Sequence, residues 1–171
     1  MSDESPKQIE RYLAHLEHVR NLSPHTCRAV RVDLEAFNAF VHPLQISQVD
    51  RLKARAFVAD LASRNAARTI ARKLSHLRGF YRWLEREGII EHSPLDGIPN
   101  PRQGRPLPGV MSVDAVVNMI GGAQGVSARD ARDLAILELL YASGIRVGEL
   151  VSLDVAAVDL NTRQLRVTGK G

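Results

Sequence analysis

Five of the chain's eight prolines, Pro94, Pro99, Pro101, Pro106 and Pro108, fall between residues 92 and 109, interleaved with Gly97, Gly104 and Gly109. Proline removes a backbone donor and locks φ, and glycine adds conformational freedom, so no helix or strand continues through such a stretch. The 171 residues therefore divide into a front part, 1–91, and a back part, 110–171, joined by a linker at 92–109. Charge divides with them. Residues 1–106 carry 17 Lys+Arg against 12 Asp+Glu, whereas residues 107–171 carry 6 against 7. The basic character, net +4 overall, belongs to the front.

Apolar residues in the front recur at helical spacing. Ile9, Tyr12, Leu13, Leu16 and Val19 mark a first amphipathic helix. Ser23-Pro24 is an N-cap followed by proline at the first helical position, and opens a second helix carrying Val30, Leu34, Phe37 and Val41. A third helix follows Ser47 or Asp50, with Leu52, Ala56, Phe57 and Leu61 as its apolar stripe. The fourth spans about Ala66 to Glu87 and stops at Gly88.

The fourth segment is unusual in its charge. From Arg64 to Arg86 there are seven basic residues and one acid, Glu85. At about 100° per residue, Arg64, Arg68, Arg72, Arg78, Arg82 and Arg86 share roughly a third of the circumference. Ile70, Leu74, Leu77, Phe80, Tyr81 and Leu84 occupy the opposite side, and Lys73 projects among them, where its stem can snorkel. A charged face is ordinarily just solvated. Like charges at successive i,i+4 positions, however, destabilise a helix unless something anionic relieves them. With so few acids nearby in sequence, a polyanion such as a DNA backbone suits the face better. Arg64, Arg68, Arg72, Arg78 and Arg82 are the candidate contacts, and Arg102 and Arg105 of the linker can follow a phosphate backbone or simply keep it soluble.

In the back part, Ser112 caps a short helix (Val113, Val116, Val117, Ile120) ended by Gly121-Gly122, and another helix runs from about Ala128 to Ser143. Val158, Leu160, Leu165 and Val167 then alternate with polar residues about Asn161-Thr162, the pattern of a β-hairpin. Gly169-Lys170-Gly171 reads as a second turn with the lysine at its tip. Between helix and hairpin lies Arg146, with Glu149 one turn further on. An arginine fork can hold two non-bridging oxygens of a phosphodiester, and a lysine on a turn can protonate a departing hydroxyl oxygen. The same residues also suit a surface ion pair and a solvated lysine. Chemistry alone leaves both readings open.

Composition excludes several classes. A hydrophobic share of 44% with 25% charged residues describes a globular chain, and no run reaches the roughly 18 apolar residues of a membrane span. The acidic, polar start lacks the pattern of a signal peptide. The single cysteine, Cys27, excludes an internal disulfide and a cysteine-rich zinc site, and suits a reducing compartment. The cytoplasm is the expected location.

Tyr141-Ala142-Ser143-Gly144-Ile145-Arg146-Val147-Gly148-Glu149-Leu150 resembles the first catalytic-arginine motif of the tyrosine site-specific recombinases of Xer type, with Gly148 where serine is common. Val167-Thr168-Gly169-Lys170-Gly171 is similar to that family's β-hairpin lysine. Ser23-Pro24-His25-Thr26 through Asp33-Leu34, and Thr69-Ile70-Ala71-Arg72-Lys73-Leu74-Ser75-His76-Leu77-Arg78 through Phe80-Tyr81, resemble the second and fourth helices of its core-binding domain. The resemblance implies a mainly α chain: a four-helix, SAM-like core-binding domain, then the start of an α+β catalytic domain with a β-hairpin. It adds Thr26 and Arg28 to the expected DNA contacts. It makes Arg146 and Lys170 catalytic, with Glu149 in support, and implies a 3′-phosphotyrosyl intermediate with no metal and no cofactor. The implied partners are a duplex recombination half-site and, in a longer protein, a related recombinase or further copies in a tetramer on DNA. The family's His-x-x-Arg motif and nucleophilic tyrosine have no match here, since Tyr12, Tyr81 and Tyr141 each lie in an apolar helical stripe or run. The chain therefore reads as a recombinase truncated within its catalytic domain, able to bind duplex DNA without cleaving it. Two alternatives are a non-catalytic DNA-binding accessory module and a helical adaptor for an acidic protein.

The back part, with a small core and an unpaired strand edge, is expected to be the less stable. Limited proteolysis should therefore leave a resistant front fragment ending within 92–109. Loss of the front part before the back part would contradict this division.

Overall fold

The computed structural model describes residues 4–101, 104, 109–123 and 125–167. It forms two compact units, Met1–Arg105 and Pro106–Gly171. Lys170 with its glycine turn, and Arg102, Arg105, Pro106 and Pro108 of the linker, lie outside the described residues.

The first unit is a bundle of α1 (Ser5–His18), α2 (Pro24–Val41), α3 (Arg51–Arg64) and α4 (Ala67–Arg86). Local chemistry marks each boundary. The Ser23 hydroxyl accepts from the Thr26 N–H at 3.3 Å, and the Asp50 carboxylate accepts from the Lys53 N–H at 2.7 Å, each satisfying a helix-end donor. Gly88, at φ 69°, ends α4 in the left-handed conformation that a glycine adopts most readily. A single 3-10 turn at Ile46–Gln48 links α2 to α3. Its Ile46 N–H donates to the buried Ser5 hydroxyl at 2.9 Å, and its Ile46 carbonyl accepts from the Tyr81 hydroxyl at 2.8 Å. One residue thus ties the start of α1 to the middle of α4.

The core is aliphatic with an aromatic centre. Phe37, Phe57 and Tyr81 pack edge to face, with centroids 4.9 and 6.1 Å from Phe37. Tyr12, Phe80 and Trp83 form a second group between α1 and α4. Trp83 is buried, with the Arg11 guanidinium 5.5 Å above its ring. Gly79 allows the two helices to approach: a β-carbon there would lie 2.7 Å from the Tyr12 hydroxyl.

Several expectations require correction. Val19 caps α1 in solvent. In α3 the buried stripe is Ala54, Phe57 and Leu61, while Leu52 and Ala56 are exposed, because 54, 57 and 61 keep the three-and-four spacing that Leu52 breaks. Arg64 closes α3 and pairs with Asp60, so it does not belong to the face of α4. The linker is not free over its whole length. Leu95 and Ile98 are buried in the core, and the Ser93 N–H donates to Glu85 at 2.9 Å. Its first half therefore packs with the first unit.

The expectation that α4 lacks acidic partners also fails. Asp33 of α2 is buried, its side chain 1% exposed, and faces three basic residues of α4. It accepts from Arg72 at 2.6 and 3.3 Å, from Lys73 at 2.8 Å and from His76 at 2.7 Å. Burial alone would raise the Asp33 pKa. The hydrogen bonds from His76, Lys73 and Arg72 outweigh it and bring the group from 3.8 down to about 2.

The second unit comprises α5 (Val113–Gly122), α6 (Ala128–Ser143), α7 (Val147–Val151), a 3-10 turn (Val155–Ala157) and a hairpin of β1 (Val158–Asp159) with β2 (Gln164–Leu165). Ser112 caps α5, and Ser127 with Asp130 forms a reciprocal capping box on α6. The hairpin pairs Val158 with Leu165 and Asp159 with Gln164. The Asp159 carboxylate accepts from the Asn161 and Thr162 N–H groups, and Arg163 takes the positive φ. The strands are shorter than the alternation suggests, and Leu160 is exposed. None of this unit's described residues is buried.

Asp33 carries a testable consequence. A carboxyl whose folded pKa lies below its unfolded value stabilises the fold above the unfolded pKa, and that contribution disappears as pH falls towards the folded one. A shift from 3.8 to about 2 corresponds to about 2 kcal/mol, lost between roughly pH 4 and pH 2. Asp33→Ala should cost on the order of 1–3 kcal/mol at pH 7 by leaving the half-buried Lys73 and His76 without their acceptor, and should flatten the acid limb. Denaturant unfolding of the first unit, followed through Trp83, measures both. An unchanged acid limb in the variant would refute the assignment.

Candidate nucleic-acid interface and phosphate ligand

α4 presents its cations in two classes. Arg72 and Lys73 are bound to Asp33, and Arg78 donates to the Asn100 side chain and the Ile98 carbonyl, each at 2.6 Å. These groups hold α2 and the linker. Arg68, Arg82 and Arg86 are exposed and have no carboxylate partner among the described residues. Arg82 makes one bond, Nε to the Arg78 carbonyl at 3.2 Å. The i,i+4 repulsion is thus relieved at Arg72 by an acid from another helix, and Arg68 and Arg82 stay available to an outside anion.

On α2, Arg28 is exposed and its Nη2 lies 2.9 Å from His25 Nδ1, and no carboxylate among the described residues pairs with it. Thr26 is half-buried, its hydroxyl 3.0 Å from that of Ser23, so its first role is at the helix cap. Arg31 is neutralised by Glu10 and lies 3.7 Å from Glu35. The sequence-derived contacts are therefore unequal. Arg28, Arg68 and Arg82 are free to bind, while Arg64, Arg72 and Arg78 are engaged within the fold.

In the second unit, Gly144 ends α6 at φ 64°, and Arg146 takes the extended N-cap position of α7. Glu149 folds back on it. One carboxylate oxygen accepts from the Arg146 backbone N–H at 2.8 Å, and the other from Nη1 at 2.9 Å. These bonds, the backbone one first, hold the Glu149 carboxyl below its usual range. The Arg146 side chain remains 81% exposed against 15% for Glu149. One edge of the guanidinium is fixed by the glutamate and its remaining donors face solvent. Such a fork is oriented before a ligand arrives.

The tyrosines differ in setting. Tyr81 is fully buried, and burial raises its pKa; Tyr12 is nearly so. Tyr141, expected in an apolar run, is 63% exposed on α6.

The geometry agrees with the relationships of the sequence. Residues 9–88 match the phage integrase N-terminal SAM-like domain, and residues 110–171 match the phage integrase family domain. The chain is similar to tyrosine recombinase XerC of Pseudomonas fluorescens, at 37% identity over 169 residues, covering 96% of this chain and 57% of that protein. It is also similar to tyrosine recombinase XerC of Pseudomonas putida strain W619, at 39% identity over 173 residues, covering 96% and 56%. Among solved structures, the integrase from mycobacterium phage Brujita matches with a TM-score of 0.55 at 20% identity, over 99% of this chain and 56% of that one. That likeness concerns the fold. The chain belongs to the phage integrase family of tyrosine recombinases, of Xer type. It spans little more than half the length of the curated relatives it matches.

Proposed function

We propose that the first unit is the DNA-gripping module of a site-specific recombinase and the second the beginning of its catalytic domain. The division falls between Ile98 and Val110. The observation that carries the reading is the pair Arg68 and Arg82, exposed along α4 with no carboxylate partner among the described residues, beside cations that the fold has already neutralised. These two, with Arg28 and Thr26 of α2, grip the backbone of a duplex half-site. Arg64, Arg72 and Arg78 contribute mainly by holding the helices that present them.

Arg146 is the arginine that binds the scissile phosphate. Its free donors meet two non-bridging oxygens, whose charge grows as the attacking oxygen adds, and Glu149 fixes their direction beforehand. Removing one such preorganised donor typically lowers a rate by about 10²–10³. Lys170 is the general acid that protonates the leaving 5′-oxygen. The nucleophile is not among this chain's tyrosines: Tyr12 and Tyr81 are inside the bundle, and Tyr141 opens the arginine motif on α6, which is not the nucleophile's place in the resembling family. This chain by itself binds duplex DNA without cutting it. The setting is cytoplasmic, and among the described residues no helix is long and apolar enough to cross a membrane.

Two outcomes test the reading. Duplex affinity should fall steeply with salt, and Arg68→Gln with Arg82→Gln should reduce the slope of log K against log[salt] by about 2. Fluorescence anisotropy with labelled duplex measures this; a wild-type slope near zero would exclude backbone binding. Nicked duplexes incubated with the chain should give no covalent adduct on a denaturing gel, and an adduct would overturn the assignment of the tyrosines.

A further inference from the structure

A cleft of about 630 Å³ lies between α1 and α4, lined by Tyr12, His15, Arg20, Gly79, Arg82 and Arg86 among others. Its composition is not that of an incidental groove. Gly79 has no side chain to fill the floor, and the Tyr12 hydroxyl lies directly over it. Three arginines line it, and the Arg20 and Arg86 side chains have no hydrogen-bond or ion-pair partner among the described residues. Glu87, just past the end of α4, accepts from Arg11 at 2.9 Å, and Glu85 is the one acid in the lining, with one carboxylate oxygen accepting from the Ser93 N–H. Burial raises the Tyr12 pKa, while Arg82, Arg20 and Arg86 each pull it down, as they must if all three charges sit near that hydroxyl.

We propose that this cleft is a phosphate pocket that seats one backbone phosphodiester of the bound duplex, using Arg20, Arg82 and Arg86 beside the Tyr12 hydroxyl. The proposal rests on the DNA-binding reading above and deepens it by adding residues outside the face of α4. Guanidinium forks suit the tetrahedral oxygens of a phosphate, and three around one site exceed what solvation of a surface requires. A phosphodiester also keeps a net negative charge while presenting sugar carbons to the apolar lining from Leu16 and Leu22. The pocket would fix the register of α1 on the duplex, since Arg20 follows the end of that helix.

The test uses the full chain and labelled duplex, with anisotropy read over a salt series. Arg20→Gln with Arg86→Gln should lower affinity about tenfold and reduce the salt slope by about 1, one phosphate contact. Arg20→Lys with Arg86→Lys should restore the slope but not all of the affinity, because the charge returns without the fork. Circular dichroism melts check that both exposed substitutions leave the fold intact. Trp83 is the single tryptophan, 5.5 Å from Tyr12 and 6.4 Å from His15, and reports the cleft directly. Its emission should respond to inorganic phosphate at constant ionic strength, and unlabelled duplex should abolish that response. If the wild type binds no duplex, the DNA reading itself fails. If it binds, and Arg68→Gln lowers the slope while the Arg20/Arg86 variant does not, only the pocket is refuted. A phosphate response that duplex leaves untouched assigns the cleft to a free phosphate and likewise overturns the proposal.

Discussion

Asp33 is the charge on which the first unit turns. It is buried on the apolar side of α2, and three basic groups of α4 reach it from positions 72, 73 and 76. A lone carboxylate there would be costly to bury, and a lone lysine at position 73 equally so. Together they satisfy one another and set the rotation of α2 against α4 to within a hydrogen bond. The network then determines what remains for a ligand. Each cation it consumes is a charge no longer uncompensated, so the cations of α4 left open to an outside anion are those the network leaves over.

This division explains what could and could not be read from the sequence. The helices, the Ser23 and Asp50 caps and the Gly88 stop were legible because each depends on residues within one turn. The stripe of α4 was legible because a 20-residue helix averages out local exceptions. Partnership across the bundle was not. Lys73 stood out as a cation within an apolar stripe, yet Asp33 stands equally out of place between Val30 and Leu34, and the two anomalies explain each other. Matching them would have exposed the network. Arg64 was misassigned because angular bookkeeping does not register the break at Asn65 and Ala66, where the backbone is extended. Leu95 and Ile98 were missed because proline density signals irregular backbone, which is a different property from exposure.

The second unit follows another logic. Leu134, Ile136, Leu137, Leu139 and Leu140 make α6 apolar around much of its circumference, which is the composition of a central helix, yet none is buried. Its local chemistry is nonetheless complete. The Ser127–Asp130 box starts α6, Gly144 ends it, and Arg146 with Glu149 starts α7. Side-chain geometry at Arg146 therefore depends on these three helix starts and stops and not on a core. That is why the motif and its internal geometry were readable from sequence, while the exposure of Tyr141 was not.

The same separation bears on how the chain engages an anion. A guanidinium tied to a buried carboxylate is oriented but neutralised, as at Arg72. One tied to nothing keeps its full charge and its conformational freedom, as at Arg68. Arg146 lies between these, with one edge held by Glu149 and most of its surface open. A half-anchored fork loses less entropy on binding a phosphate than a free one, and keeps donors to spare that a neutralised one lacks. Grip needs many such contacts of modest individual strength, which free arginines supply. A contact of fixed direction is a different requirement, and an arginine anchored to the glutamate one turn away has the geometry for it.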